Sequence, residues 1–98
     1  MNIQQEKNGN ALTIALEGRL DTMTAPELEA ALNDALNGVE ELTFDFEKLE
    51  YISSAGLRVL LAAQKTMNRQ GSMKVKNVNE IVMEIFDVTG FADILTIE

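Results

Sequence analysis

The residues that could carry chemistry in this sequence are two adjacent serines. Ser53 and Ser54 stand directly before a run with helical periodicity, where a hydroxyl group can cap a helix or accept a modification. A nucleophilic serine needs an activating base, but the sequence has no histidine, and neither Lys48 nor Lys65 stands in a Ser-x-x-Lys spacing. We therefore predict that the chain is not an enzyme.

The carboxylates do not form a metal-binding pattern. Asp21, Glu27, Asp45 and Glu47 have no spacing typical of a cation-binding loop. The sequence also lacks cysteine and histidine, the main ligands of structural and catalytic zinc. We expect neither a metal ion nor a cofactor.

Charge and length limit the possible partners. The 98 residues include 16 acidic and 8 basic side chains, a formal charge of -8, which disfavours nucleic acid and anionic membranes as partners. The polar residues 2–10 do not resemble a signal peptide, and no apolar run approaches the roughly 20 residues that span a bilayer. We expect one domain, residues 1–98, in the cytoplasm.

Hydrophobic periodicity predicts an α/β fold. Alternating apolar residues indicate strands at 11–16, 42–46 with an apolar continuation at 49–52, and 73–78, and a last short strand is expected at 94–97. The short polar segment 3–7 is predicted to form a hairpin with 11–16, because Asn8, Gly9 and Asn10 between them are typical turn residues. Helices are predicted from Thr24, which forms a capping box with Glu27, to Gly38; from the serine pair to Gly71; and from Asn79 to Gly90. The order β-β-α-β-α-β-α-β predicts a mixed, mostly parallel sheet with interleaved helices and an antiparallel first strand.

This topology places the possible functional residues at one edge of the sheet. Asp21, Ser54 and Asn79 each follow the carboxyl end of a parallel strand, where binding sites usually lie. Helices begin at the same places, and their N-termini carry partial positive charge. This edge is therefore expected to favour an anion.

Several motifs together resemble a known family. They are Gly18-Arg19-Leu20-Asp21-Thr22, Thr24-Ala25-Pro26-Glu27-Leu28, the segment 44–57 that ends in Tyr51-Ile52-Ser53-Ser54-Ala55-Gly56-Leu57, and Phe86-Asp87-Val88-Thr89-Gly90-Phe91. In this order they resemble the STAS domain of bacterial anti-sigma-factor antagonists over nearly the whole chain.

The resemblance implies a phosphorylation switch. Many antagonists read Asp-Ser-Ser or Asp-Ser-Thr before Gly-Leu, and the serine after the aspartate is phosphorylated; that position is Ser54 here, with Ser53 as second choice. Ser53 replaces the aspartate, Ala55 replaces the next hydroxyl residue, and Arg58 stands where a glycine is frequent.

The same resemblance implies the partners and their contact surface. The unphosphorylated antagonist binds an anti-sigma factor that is a serine kinase, phosphorylation releases it, and a serine phosphatase resets it. This cycle regulates sigma-factor-dependent transcription. The expected partner-binding residues are Asp21, Thr22, Met23, Thr24, Ile52, Ser53, Leu57 and Arg58.

Other functions are compatible with parts of this pattern. A STAS domain can be a scaffold that is not phosphorylated, an accessory subunit of a lipid-transport ATPase, or the tail of an anion transporter, although the last would need membrane spans. An acyl carrier protein is also small and acidic, with a modified serine at a helix start, but it is a helical bundle and does not explain the alternating runs.

Overall fold

Four strands form one mixed β-sheet in the computed structural model, which describes residues 1–98. The strands are β1 (Asn2–Asn8), β2 (Ala11–Leu20), β3 (Glu41–Ile52) and β4 (Ser72–Lys76), in the spatial order β1-β2-β3-β4. β1 is antiparallel to β2, and β2, β3 and β4 run parallel. The α/β class and the mostly parallel sheet are thus confirmed, and the sheet rules out the helical bundle of an acyl carrier protein.

Three helices cover one face of this sheet. They are α1 (Ala25–Ala35), α2 (Ser54–Gln70) and α3 (Glu80–Thr89), and a short 3-10 turn follows at Phe91–Asp93. Ile14, Phe44 and Val75 are neighbours across the parallel strands and are all buried, whereas the alternating Thr43 and Lys74 are not. Side chains alternate between the faces of a sheet, so the second face is open to solvent.

The core is one cluster of 24 buried hydrophobic residues between the sheet and the helices. Phe46 lies at its centre, with its ring centroid 5.7 Å from that of Phe44 and 6.5 Å from that of Phe86 on α3. These tilted aromatic pairs join α3 to β3. The loops at the carboxyl edge of the sheet are therefore mounted on a single packed core.

The C-terminal segment differs from the prediction. Residues 94–97 were expected to form a strand, but the structure has only one parallel bridge, between Val75 and Ile97. Two backbone hydrogen bonds form it, from Val75 N to Thr96 O and from Glu98 N to Val75 O. The backbone N–H groups of Ile94 and Leu95 donate to Phe91 O in the 3-10 turn, so the first half of the predicted strand does not pair with β4.

Two other strand boundaries also differ. The predicted segments 42–46 and 49–52 belong to one continuous strand, β3, whose register against β2 shifts between Ala15 and Glu17 and between Gly18 and Arg19. β4 ends at Lys76 rather than at Val78, because Asn77 has a left-handed backbone with φ of 60°. This residue turns the chain towards α3.

No helix of the structure combines the length and the apolar character needed to cross a bilayer.

Candidate functional site

The loop between β2 and α1 is closed by the side chain of Asp21. Its Oδ1 accepts hydrogen bonds from the backbone N–H groups of Met23 (3.0 Å) and Thr24 (3.2 Å). Asp21 O accepts a further bond from Ala25 N at 2.8 Å. An aspartate that bonds the backbone two residues ahead is a turn-forming device, so Asp21 shapes this loop.

The predicted capping box at Thr24 and Glu27 is wrong, although α1 does begin where it was expected. Thr24 has helical backbone angles and makes no side-chain cap. Its hydroxyl donates to Arg19 O at 2.8 Å and accepts from Asp21 N at 2.9 Å. An N-cap side chain normally needs an extended backbone to reach the N–H groups of the first turn, and Thr24 lacks it.

The serine pair divides into a capping residue and a free one. Ser53 is the N-cap of α2, with an extended backbone, and its hydroxyl accepts from Gly56 N at 3.4 Å. Ser54 is the first helical residue; its side chain is exposed, and its hydroxyl takes part in no hydrogen bond of the structure. The cap therefore belongs to Ser53, which leaves the hydroxyl of Ser54 available.

A glycine lets α2 start close against the ends of β2 and β3. A Cβ atom on Gly56 would lie 2.7 Å from Cγ of Leu20 and 2.8 Å from Cγ1 of Ile52, closer than packed carbon atoms approach. Ser53 N also donates to Leu20 O at 2.9 Å. These contacts fix the position of the serine pair relative to the loop that contains Asp21.

The third predicted residue of this edge, Asn79, lies further along the sheet. Asn79 is the N-cap of α3, and its Oδ1 accepts from Val82 N at 2.8 Å, as predicted. Its Nδ2 donates to Leu49 O at 2.8 Å, three residues before the end of β3 at Ile52. Since a strand rises about 3.3 Å per residue, Asn79 is bonded to β3 at a point about 10 Å before the end of that strand. Asp21 and the serines therefore remain the candidate site, and Asn79 lies set back from it.

An arginine that the sequence did not single out is part of this edge. Arg19 Nε lies 3.9 Å from Asp21 Oδ2, and its guanidinium carbon lies 4.5 Å from the ring centroid of Tyr51, its partner in the register of β2 and β3. Cation–π contacts of this kind stabilise modestly at exposed positions. The alternation of side chains along β2 and β3 would have suggested that Arg19 and Tyr51 lie on the same face of the sheet. That they are neighbours depends on the register between the two strands, which the sequence does not show.

The predicted partner-binding residues differ in their exposure to solvent. Thr22, Met23, Ser54 and Arg58 are exposed, and Asp21, Thr24 and Ser53 are half-buried. Met23 is 86% exposed, unusual for so large an apolar side chain. Ile52 and Leu57 are only 1% and 5% exposed, so they belong to the core and support the surface from below.

Asp45 lies outside this site, on the open face of the sheet. Its Oδ1 accepts from Asn77 Nδ2 at 2.9 Å and from Glu47 N at 3.1 Å. The hydrogen bond from Asn77 is the main reason that the pKa of Asp45 is lowered, and the charges of Lys76 and Lys48 contribute in the same direction. Asp45 therefore acts as a structural anion that ties β3 to the turn after β4.

No three acidic side chains come together closely enough in the structure to hold a metal ion.

Comparisons with known proteins relate this chain to a family. A family model described as "Mlab, STAS domain" matches residues 3–96. The anti-sigma-B factor antagonist of Bacillus subtilis (strain 168) is 30% identical over 98 residues, which cover 99% of this chain and 90% of that protein.

Solved structures agree on the fold. The anti-sigma factor antagonist SpoIIAA in its unphosphorylated form matches with a TM-score of 0.85 and 21% identity, over 99% of this chain and 88% of that one. SpoIIAA from Bacillus in its phosphorylated form matches with a TM-score of 0.77 and 20% identity, over 99% of this chain and 91% of that one.

Proposed function

This chain belongs to the STAS domain family of anti-sigma-factor antagonists, and we propose that phosphorylation of Ser54 controls its binding to an anti-sigma factor. In this proposal the unphosphorylated chain binds a kinase-fold anti-sigma factor in the cytoplasm and so frees a sigma factor for transcription. The kinase then uses ATP to phosphorylate Ser54, which releases the chain, and a serine phosphatase restores it. Family membership agrees with the expectation of a regulatory rather than a catalytic protein.

The observation that carries the proposal is the division of roles within the serine pair. The hydroxyl of Ser53 is engaged as the N-cap of α2, whereas the hydroxyl of Ser54 is exposed and unbonded. A kinase can reach the second hydroxyl without disturbing the start of the helix. SpoIIAA, which shares this fold, is known in a phosphorylated and an unphosphorylated form, which supports a phosphoserine switch in such a scaffold.

The folded chain can accommodate a phosphate at Ser54. The first turn of α2 contains no acidic side chain, whereas α1 has Glu27 and α3 has Glu80 in that turn. A phosphate adds a charge of about -1.5 to -2 at neutral pH, and the free N–H groups and dipole of a helix N-terminus stabilise an anion. Phosphorylation should therefore leave the fold intact.

The same phosphate should weaken a docked complex. Ser54 shares an edge with the exposed Met23, an apolar side chain suited to burial in an interface, and with the carboxylate of Asp21. A doubly charged group placed in a contact that excludes water loses hydration without compensation, and it lies near a like charge. Binding is lost while the antagonist stays folded.

The test is a reconstitution of the cycle. The purified chain is incubated with ATP and the kinase-fold anti-sigma factor from the same organism, and the phosphorylated residue is located by mass spectrometry. We expect phosphate on Ser54, none in Ser54→Ala, and at least a tenfold loss of affinity in Ser54→Asp. Ser72→Asp is the matched control, because it changes the charge equally at the start of β4 and should bind normally.

Two results would contradict the proposal. One is phosphate on Ser53 or on no residue. The other is a Ser54→Asp variant that binds the anti-sigma factor as tightly as the unmodified chain. Partner binding without any phosphorylation would instead support the scaffold function.

A further inference from the structure

One flank of α3 exposes a row of apolar side chains that nothing in the structure covers. Ile81 is 59% exposed and Val88 is 78% exposed, and the half-buried Ile85 lies between them. The spacing of four and three residues places all three on one side of the helix, next to the buried side formed by Val82 and Phe86. We refer to Ile81, Ile85 and Val88 as the α3 stripe.

The surroundings of the α3 stripe are strongly acidic. Residues 77–98 contain 5 of the 16 acidic residues and none of the 8 basic ones. Glu80, Glu84 and Asp87 lie on α3 itself and form no ion pair, and in this part of the chain only Glu98 has one, with Lys74 at 3.3 Å. Asp87 also stands in the last turn of α3, where the helix dipole disfavours an anion. The charge of this flank is uncompensated within the chain.

Charge and size together indicate what covers the stripe. A second copy of the chain would bring like charges together, and three side chains offer much less than the roughly 800 Å² that each partner buries in a standard protein interface. An anionic membrane and nucleic acid are repelled by the same carboxylates. From Ile81 to Val88 the stripe is about 10 Å long, which matches two turns of a helix.

We propose that the α3 stripe and its acidic border form a docking surface for a basic amphipathic helix of a partner protein. Apolar side chains of that helix bury the stripe, and its Lys and Arg residues face Glu80, Glu84 and Asp87. This surface is distinct from the edge that contains Ser54, so a partner could hold the chain through α3 while the serine site is modified.

The test uses a synthetic leucine–lysine helical peptide with one apolar face, titrated into the isotope-labelled chain and followed by NMR. The largest amide shifts are expected in α3. Ile81→Ser combined with Val88→Ser should raise the dissociation constant at least about tenfold, because burial of these side chains is lost. Both residues are exposed, and a circular dichroism melt will show that the variant is folded.

Charge variants provide a second measurement that does not depend on the apolar substitutions. Glu84→Gln with Asp87→Asn should weaken binding several-fold. The matched control, Glu29→Gln with Asp34→Asn, removes the same charge from exposed positions of α1 and should leave peptide binding unchanged. A leucine–glutamate peptide of the same pattern should not bind.

Three outcomes would overturn the proposal. The first is a set of amide shifts spread over the whole acidic surface, together with an equal loss of peptide binding in the α3 and the α1 charge variants. The second is a dimer in sedimentation that Val88→Ser dissociates, which would assign the stripe to a second copy. The third is binding to phospholipid vesicles that the same substitution abolishes.

Discussion

The two serines at the start of α2 should respond differently to the same substitution. Ser53→Ala removes the hydroxyl that accepts from Gly56 N, and loss of an N-cap costs about 0.5 to 2 kcal/mol. Because this hydrogen bond is long, at 3.4 Å, we expect the lower half of that range. Ser54→Ala removes no hydrogen bond and should change the free energy of unfolding by less than about 0.5 kcal/mol.

Adding a charge at Ser54 should stabilise the chain. Ser54→Asp places a carboxylate in the first turn of a helix that has no other acidic side chain there, which is worth about 0.3 to 1 kcal/mol at low salt. Ser72→Asp adds the same charge where no helix begins, so it should not gain this stabilisation. The difference between the two variants should shrink as salt is added, because salt screens exposed charges.

Urea unfolding at equilibrium measures these differences. For a small protein the free energy of unfolding changes by about 1 to 3 kcal/mol per molar urea, so a cap worth 1 kcal/mol shifts the midpoint by about 0.3 to 1 M. The reasoning is refuted if Ser54→Ala lowers the midpoint more than Ser53→Ala does. That result would assign the cap to Ser54 and remove the argument that its hydroxyl is free.

Two further predictions concern the support of the site. Gly56→Ala should destabilise the chain by about 1 to 3 kcal/mol in a thermal melt, because the added Cβ meets Leu20 at 2.7 Å; an unchanged melting temperature would show that α2 can shift away. The lowered pKa of Asp45 means that its ionised form stabilises the chain at pH values above the ordinary 3.8, and that this stabilisation is lost as pH falls through the lowered pKa. Asp45→Asn should therefore flatten the acid side of the pH–stability curve measured by urea unfolding, and an unaltered curve would contradict the assignment.

Strands and helices with clear hydrophobic periodicity could be predicted from the sequence. The predictions were wrong where local backbone hydrogen bonds, rather than periodicity, determine the structure. Leu42 to Phe46 alternate and form a buried strand, and Asn79 caps α3 as expected. The prediction of a last strand was wrong because the pairing of residues 94–97 with β4 depends on how the 3-10 turn at Phe91–Asp93 directs the backbone that follows it. An apolar sequence pattern does not contain this information. The sequence predicts Ile52 and Leu57 at the rim of the serine edge, but the side chains of both are buried in the core.

The capping roles could not be assigned from residue types alone. Thr24 with Glu27 has the composition of a capping box, yet the side chain of Asp21 already turns the backbone at this point and leaves Thr24 helical. Ser53 and Ser54 are equivalent in composition, and only the extended backbone of Ser53 decides which hydroxyl reaches Gly56 N. Backbone conformation, rather than sequence, separates the cap from the free hydroxyl in this pair.

The departure of this chain from the family motif has a defined physical consequence. Ser53 stands where many antagonists have aspartate, and serine and aspartate are about equally good N-caps, so α2 keeps its cap. The exchange removes a fixed negative charge directly beside Ser54. In the unphosphorylated state the first turn of α2 is therefore without any carboxylate, and an interface can cover it at a lower cost of desolvation. In the proposed switch, phosphorylation of Ser54 changes the charge of the first turn of α2 from none to about -2, whereas the charges of Arg19 and Asp21 on the neighbouring loop stay the same.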